Sequence, residues 1–186
     1  MMIRSAIRHE GPSVPIGSLG RLLLLCIPII LMACTSEPEL RVDAPLINHE
    51  GEVIGHVNLE QRGDGLVVSV EASNLPPGER GMHIHDQGLC EPPEFRSAGS
   101  HVNPESHDHG LDGPDGGHAG DLRNLEVDED GTASQTQSTS RMTLRPGEPH
   151  SILDGNGSTL VIHINPDDYT PESSTGTRIA CAAISG

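Results

Sequence analysis

The feature that most constrains this chain is a histidine-rich stretch, residues 81–121, which holds six of the chain's eleven histidines. It opens with His83 and His85 in an apolar-flanked run that predicts a strand. Because side chains alternate between the two faces of a strand, these two imidazoles should project the same way, with Met82 and Ile84 on the other side. Two imidazoles held together on a rigid element form half of a transition-metal site.

The remainder of the stretch is too polar to become ordered by its own burial. It is rich in Gly, Pro, Asn and Ser, and such a loop hides too little apolar surface to offset the entropy of ordering. A bound metal, with loop side chains as ligands, would order it. With His163 on a later predicted strand, the chain offers more ligands than one ion needs. That leaves two interpretations open: two adjacent ions, or one ion and spectator histidines.

The pattern along the chain predicts an all-β protein. Residues 53–59 and 66–72 read as strands joined by a Gly-Asp turn, and residues 122–127 and 132–137 read as a second hairpin around 128–131. Further strands are predicted over 159–164 and 178–184, and no stretch has helical periodicity over three turns. With 22 glycines, 15 prolines and only two aromatic residues, the sequence predicts a Greek-key β-barrel or sandwich. We expect about eight antiparallel strands with long metal-binding loops and an aliphatic core.

The N-terminus predicts export. Residues 1–33 contain basic residues followed by an apolar run, 22–32, which is too short to span a bilayer and is typical of a signal peptide. The run ends in Leu-Met-Ala-Cys, which resembles a bacterial lipobox and implies a lipid on Cys34; ordinary cleavage that leaves Cys34 free is the alternative. The predicted organisation is a lipoprotein signal peptide (1–33), a lipidated tether (34–41) and a β domain (42–186). The expected location is the bacterial cell envelope, with the lipid as membrane anchor.

The charge of the chain excludes one class of partner. All eleven basic residues are arginine, and the formal net charge is −16, or −18 once residues 1–33 are removed. Nucleic-acid binding needs a basic surface, so we expect no nucleic-acid partner.

Five motifs, in order and spacing, resemble the copper,zinc superoxide dismutases, and the similarity runs from about Leu46 to Ile184. The motifs are GMHIH (81–85), SAGSHVNP (97–104), GHAGDL (117–122), LVIH (160–163) and RIAC (178–181). The resemblance implies an enzyme of the bacterial, lipoprotein type that converts superoxide to oxygen and hydrogen peroxide.

The resemblance also implies one copper and one zinc per subunit, with His101 bridging the two ions. The implied copper ligands are His83, His85, His101 and His163. The implied zinc ligands are His101, His109, His118 and Asp121. His107 matches no ligand of the family, and we expect it to be a solvated loop residue.

Further roles follow from the resemblance. Asp167 should accept a hydrogen bond from one ligand histidine of each metal. Arg178 and His101 are the expected catalytic residues: the guanidinium meets the anion beside the copper, and the bridging imidazole carries a proton. Cys90 and Cys181 should form a disulfide.

Two other functions are compatible with parts of the pattern. One is a non-catalytic envelope protein that binds or buffers copper and zinc on the same fold, and the other is a structural β-sandwich module. A complete ligand set together with Arg178 favours the enzyme, and a structural module gives no reason for the histidine spacing. The sequence leaves monomer and homodimer both open.

Overall fold

A computed structural model describes residue 11 and residues 40–185 of the chain. The predicted signal peptide, Cys34 and most of the predicted tether lie outside the described residues, so those assignments remain predictions. By its contacts the chain divides into residues 1–36 and 37–186, and the fold below is that of the second unit. Within the described residues, no helix has the length and apolar character needed to cross a membrane.

The prediction of an all-β, Greek-key-type fold is confirmed. Seven strands form one curled antiparallel sheet in the order β5-β8-β9-β1-β2-β3-β7, and β4 pairs with β6 in a small second sheet. A 3-10 turn occupies Arg96–Ala98. The strands are β1 (Arg41–Asn48), β2 (Val53–Arg62), β3 (Gly65–Ala72), β4 (Gly78–Arg80), β5 (Met82–His85), β6 (Leu125–Val127), β7 (Ala133–Thr139), β8 (Ser158–His163) and β9 (Arg178–Ile184).

The first predicted hairpin forms as expected. Arg62 lies opposite Gly65 across a two-residue turn, and Gly63 in that turn has a positive φ of 55°, which glycine tolerates at little cost. Alternate residues of β2 and β3 point inward and are fully buried, for example Val57, Leu59 and Leu66. The aliphatic core predicted from the composition therefore lies on the concave face of the sheet.

The second predicted hairpin is wrong in its pairing, although its turn forms. β6 pairs with β4 and β7 pairs with β3, so these two strands enter different sheets. Side chains of β7 bridge the seam instead: the Gln137 amide accepts from Arg123 N–H (2.9 Å) and donates to Arg123 C=O (3.1 Å). Gln135 does the same with Glu126 N–H (3.1 Å) and Asn124 C=O (2.9 Å). Hairpin signals are local, whereas the choice of sheet depends on which neighbour covers each strand.

The strand that carries the first two histidines lies between two packed faces. Met82 and Ile84 of β5 are buried in the main core. On the opposite face of the neighbouring strands, Val161 and Cys181 pack with Phe95. The predicted Cys90–Cys181 disulfide is present, with a Cα–Cα distance of 5.8 Å. It ties the loop after β5 to β9 and therefore to the sheet that presents the histidines.

Candidate metal centre

Two four-residue groups of potential metal ligands lie side by side in the described part of the chain. In each group one ligand atom per residue can be chosen so that all of them lie within 4.8 Å of one another. The first group is His83, His85, His101 and His163; the second is His101, His109, His118 and Asp121. The structure thus brings all seven predicted ligand residues together.

A single imidazole, that of His101, belongs to both groups. Its Nδ1 lies 2.9 Å from Asp121 Oδ1 and 3.1 Å from His118 Nδ1. Its ring centroid is 4.1 Å from that of His83 and 4.8 Å from that of His85. Since Nδ1 faces the second group, Nε2 is the ring nitrogen left for the first.

The loop reaches this position by running along the edge of β5. Ile84 N–H donates to Gly120 C=O (2.8 Å), and Val102 N–H donates to Ile84 C=O (2.9 Å). A Cβ on Gly120 would lie 2.2 Å from the Ile84 carbonyl oxygen, so only glycine allows this approach. These contacts place His101 beside His85 and Asp121 beside His83.

Hydrogen bonds fix which nitrogen of each imidazole faces inward. Asp167 and the carbonyls of Gly99 and Gly176 can only accept, so the ring nitrogen that touches them carries the proton. The donors are His83 Nε2 and His109 Nε2 to Asp167, His85 Nδ1 to Gly99, and His163 Nδ1 to Gly176. In three of these rings the opposite nitrogen is buried and makes no hydrogen bond within residues 40–185: Nδ1 of His83, Nε2 of His85 and Nε2 of His163. The opposite nitrogen of His109, Nδ1, lies 3.1 Å from Asp121 Oδ2.

Buried nitrogens without partners are costly in a protein interior, at about 1–3 kcal/mol each. Three of them converging on one point match what neutral imidazoles offer a transition metal: an inward lone pair, with the outer N–H held by an acceptor. The donor sets therefore fit copper and zinc ions.

Burial keeps three histidines of the first group neutral. It lowers the pKa of His83 to about 4, of His163 to about 3 and of His85 to about 2, and neighbouring histidines act in the same direction. The inner nitrogen of each of these three rings therefore carries no proton at neutral pH and is free to donate its lone pair.

The second group has the opposite electrostatic character because it contains a carboxylate and lies beside another. Hydrogen bonds to Asp121 and Asp167 raise the pKa of His109 to about 10. Burial acts to raise the pKa of Asp121, but hydrogen bonds from His101 and His109 outweigh it and hold that pKa well below its usual range. A buried carboxylate within the group and a second one beside it favour a cation there.

Asp167 lies between the two groups. Its Oδ2 accepts from His83 Nε2 at 2.7 Å, and its Oδ1 accepts from His109 Nε2 at 3.2 Å. The side chain of Asn124 holds the backbone of Asp167 through two hydrogen bonds, one to its N–H and one to its C=O, both 2.9 Å. One carboxylate thus orients a ring of each group.

Arg178 lies at the mouth of the centre. Its Nη1 donates to Phe95 C=O (2.6 Å) and its Nη2 to Gly99 C=O (2.7 Å), and the same Gly99 oxygen accepts from His85 Nδ1 (3.0 Å). These bonds leave other N–H groups of the five-donor guanidinium unused. The cleft above the first group measures about 460 Å³ and is lined by Arg178, the histidines and the polar residues 173–176.

Some residues behave differently from the sequence-based expectations or were not anticipated by them. His107 is half-buried, and its backbone is held by the Asn103 side chain; it joins neither ligand group. Sequence reasoning missed Asn124 and also Arg141, whose guanidinium contacts the second group's loop. A lone asparagine carries no signal in a sequence. The scarcity of cations was the one clue that could have drawn attention to Arg141.

Comparisons with known proteins agree with this geometry. The family described as "Copper/zinc superoxide dismutase (SODC)" matches residues 53–184. A Cu-Zn superoxide dismutase of Aquifex aeolicus is 40% identical over 158 residues, covering 83% of this chain and 94% of that protein. Among solved structures, a double mutant of a SOD-like protein from Bacillus subtilis is 40% identical, with a TM-score of 0.74 over 77% of this chain and 97% of that one. The Cu/Zn superoxide dismutase of Brucella abortus is 26% identical, with a TM-score of 0.65 over 78% of this chain and 99% of that one. This chain therefore belongs to the copper/zinc superoxide dismutase family.

Proposed function

We propose that this protein is a superoxide dismutase with one copper and one zinc per subunit. The observation that carries the proposal is the pair of ligand groups that share His101, with unbonded ring nitrogens pointing inward. A protein that only buffered metal would need neither a shared imidazole nor an arginine at the mouth of the cleft.

The donor sets favour a different ion in each group. His83, His85, His101 and His163 would hold copper, because four imidazoles suit a copper ion that must change oxidation state. His101, His109, His118 and Asp121 would hold zinc, since three imidazoles and a carboxylate make a closed tetrahedral site. When bound, copper supplies the one-electron couple that oxidises one superoxide to oxygen and reduces a second, with two protons, to hydrogen peroxide, while zinc has no redox chemistry.

The residues around the centre provide binding and orientation. Arg178 would receive the superoxide anion through its unused N–H groups, held in place by the carbonyls of Phe95 and Gly99. Asp167 holds the outer nitrogens of His83 and His109 and so fixes both rings. His101 Nε2 is the nitrogen that would hold a proton for the peroxide, because Nδ1 stays with the second group.

We also propose that the protein is exported and carries a lipid on Cys34. The signal-like sequence before Cys34 supports this, and a disulfide is typical of a protein folded outside the cytoplasm. The β domain would then lie in the periplasm or on the outer surface of the cell envelope, as a monomer or homodimer. Mass spectrometry of the protein from membranes tests the lipid, and an unmodified Cys34 would contradict it.

Superoxide decay after pulse radiolysis tests the activity. Protein loaded with one copper and one zinc should accelerate decay in proportion to its concentration, and the metal-free protein should not. Binding of both metals without any acceleration would favour the buffering function over the enzyme.

A further inference from the structure

Arg141 lies on the loop after β7 and contacts the segment that carries two of the proposed zinc ligands. Its Nη2 donates to the Asp121 carbonyl at 2.8 Å, and its Nη1 donates to the Gly116 carbonyl. These two carbonyls belong to the first and last residues of the segment 116–121 (GGHAGD). One guanidinium thus connects both ends of the piece of chain that contains His118 and Asp121.

This segment cannot hold its own shape. It has no strand or helix, and Gly116 and Gly117 have positive φ values of 76° and 77°, which only glycine adopts readily. A Cβ on Gly117 would lie 2.8 Å from Asp121 Oδ2, so the glycine is also required by space. Fixing the backbone of such residues costs conformational entropy, and bonds from elsewhere must offset that cost.

Besides the backbone bonds of Gly120 to Ile84 and Val102, two sets of bonds do so. On the inner side, Asp121 Oδ2 accepts the N–H groups of His118 (2.9 Å) and Gly110 (3.1 Å). On the outer side, Arg141 holds the carbonyls of the two end residues. The result is that His118 Nδ1 and Asp121 Oδ1 lie 3.3 Å apart, both directed at one point.

The chemistry of the guanidinium suits this task. Its planar fork can donate to two acceptors at once, which a single ammonium on a flexible stem cannot match. Burial lowers the pKa of Arg141, but a guanidinium stays charged at neutral pH. Its half-buried position shields these hydrogen bonds from water.

We propose that Arg141 is a positioning residue for the zinc site, which pre-forms the His118–Asp121 half of the ligand set by clamping the two ends of the segment 116–121. The inference rests on the proposed assignment of zinc to the second ligand group. It assigns to Arg141 no contact with copper, substrate or the cleft beneath Arg178.

The test compares three substitutions in the metal-loaded, disulfide-intact protein. R141A removes the clamp, and R141K keeps the charge but not the fork. R145A is the matched control, since Arg145 lies on the same loop and pairs with Asp64 and Glu148 (3.7 and 3.8 Å). Zinc affinity is measured by chelator competition, and cobalt(II) placed in the second group reports its geometry through visible absorption. The copper spin-resonance spectrum reports the first group.

Loss of a residue that orients ligands typically lowers metal affinity about 10- to 100-fold. We expect a loss in that range for R141A, a smaller loss for R141K and less than a twofold change for R145A. The cobalt spectrum should change only in the Arg141 variants, and the copper spectrum should stay the same in all of them.

Equal zinc affinity in R141A and wild type, or an equal loss in R145A, would overturn the inference while leaving the proposed function intact. A wild-type protein that binds neither zinc nor cobalt in the second group would overturn both. If R141A does not fold, R141K against R145K decides: a loss confined to R141K supports the clamp, and equal affinities refute it.

Discussion

The substitution Asp167→Asn tests how one carboxylate serves two metal sites. The amide has the shape of the carboxylate but only one oxygen, so it can keep only part of the present hydrogen bonds. Oδ2 accepts from His83 Nε2 (2.7 Å) and lies 3.0 Å from His109 Nε2, whereas Oδ1 lies 3.2 Å from His109 Nε2 and accepts from Tyr169 N–H (2.8 Å). The NH₂ group must therefore replace one of these two oxygens. The N–H groups that bonded to that oxygen then lose their acceptor.

Burial decides which side loses its acceptor. The His83 side chain is 0% exposed, so an unpaired Nε2–H there would cost about 1–3 kcal/mol. The His109 side chain is 13% exposed and Tyr169 is half-buried, so water can replace the lost acceptor at little cost. We expect the amide oxygen to stay with His83. The NH₂ group then faces the N–H of His109, which keeps only the 3.0 Å contact that it shares with His83.

The expected result is a zinc site weakened about 10- to 100-fold and a copper site changed less than threefold. At about 1.4 kcal/mol per factor of ten, the zinc loss equals roughly 1.4–2.8 kcal/mol. Chelator competition measures zinc affinity, and spin resonance with a copper chelator measures copper affinity. Asp168→Asn is the control, because this exposed neighbour bonds only Thr170 and Ser173 in its surroundings. A larger loss at copper than at zinc would refute the argument from burial.

Three further predictions concern charge. Added salt should leave the rate of superoxide turnover unchanged or raise it, because salt screens the repulsion between this strongly acidic protein and the superoxide anion, and residues 165–177 contain no cation to attract the anion. A rate that falls steeply with added salt in pulse radiolysis would contradict this. Arg178→Ala should lower kcat/KM about tenfold or more, since a hydrogen bond to a charged group contributes about 1.5–3 kcal/mol. The control Arg96→Ala removes an exposed arginine that pairs with Glu94 (2.6 Å), and it should change kcat/KM little. The metal-free protein should lose stability as the pH falls below about 6.5. In the folded protein His83, His85 and His163 have pKa values of about 4, 2 and 3, so below pH 6.5 the unfolded chain binds protons that the folded chain does not. Urea unfolding at pH 7 and pH 5 measures this, and equal midpoints would refute it.

The parts of the fold that could be read from the sequence are those set by neighbours in the chain. The β2–β3 hairpin follows from a Gly-Asp turn between alternating segments, and β9 begins and ends at the predicted residues, Arg178–Ile184. The second hairpin failed because its strands join different sheets, a choice made by contacts with β3 and β4 that lie far away in the chain.

The candidate site divides in the same way. Histidine and aspartate are recognisable as ligands from their chemistry, and strand alternation places His83 and His85 on one face. The partners that orient them are main-chain carbonyls such as those of Gly99 and Gly176, and every residue has a carbonyl, so no sequence pattern marks the ones that matter. Asn124 and Arg141 escaped notice for a similar reason: their roles consist of contacts with distant backbone.

By itself the sequence determined the inventory: an aliphatic β protein with seven candidate ligands, a cysteine pair and too few cations to attract anions from afar. Only the tertiary structure decided that His101 lies between two ligand groups and that Asp167 reaches a ring in each. The physical reason is that local preferences extend over a few residues, whereas these contacts join His83 to Asp167 across 84 positions. Closure of the sheet and its loops brings such positions together, and the burial of unpaired nitrogens that results makes the centre a metal site.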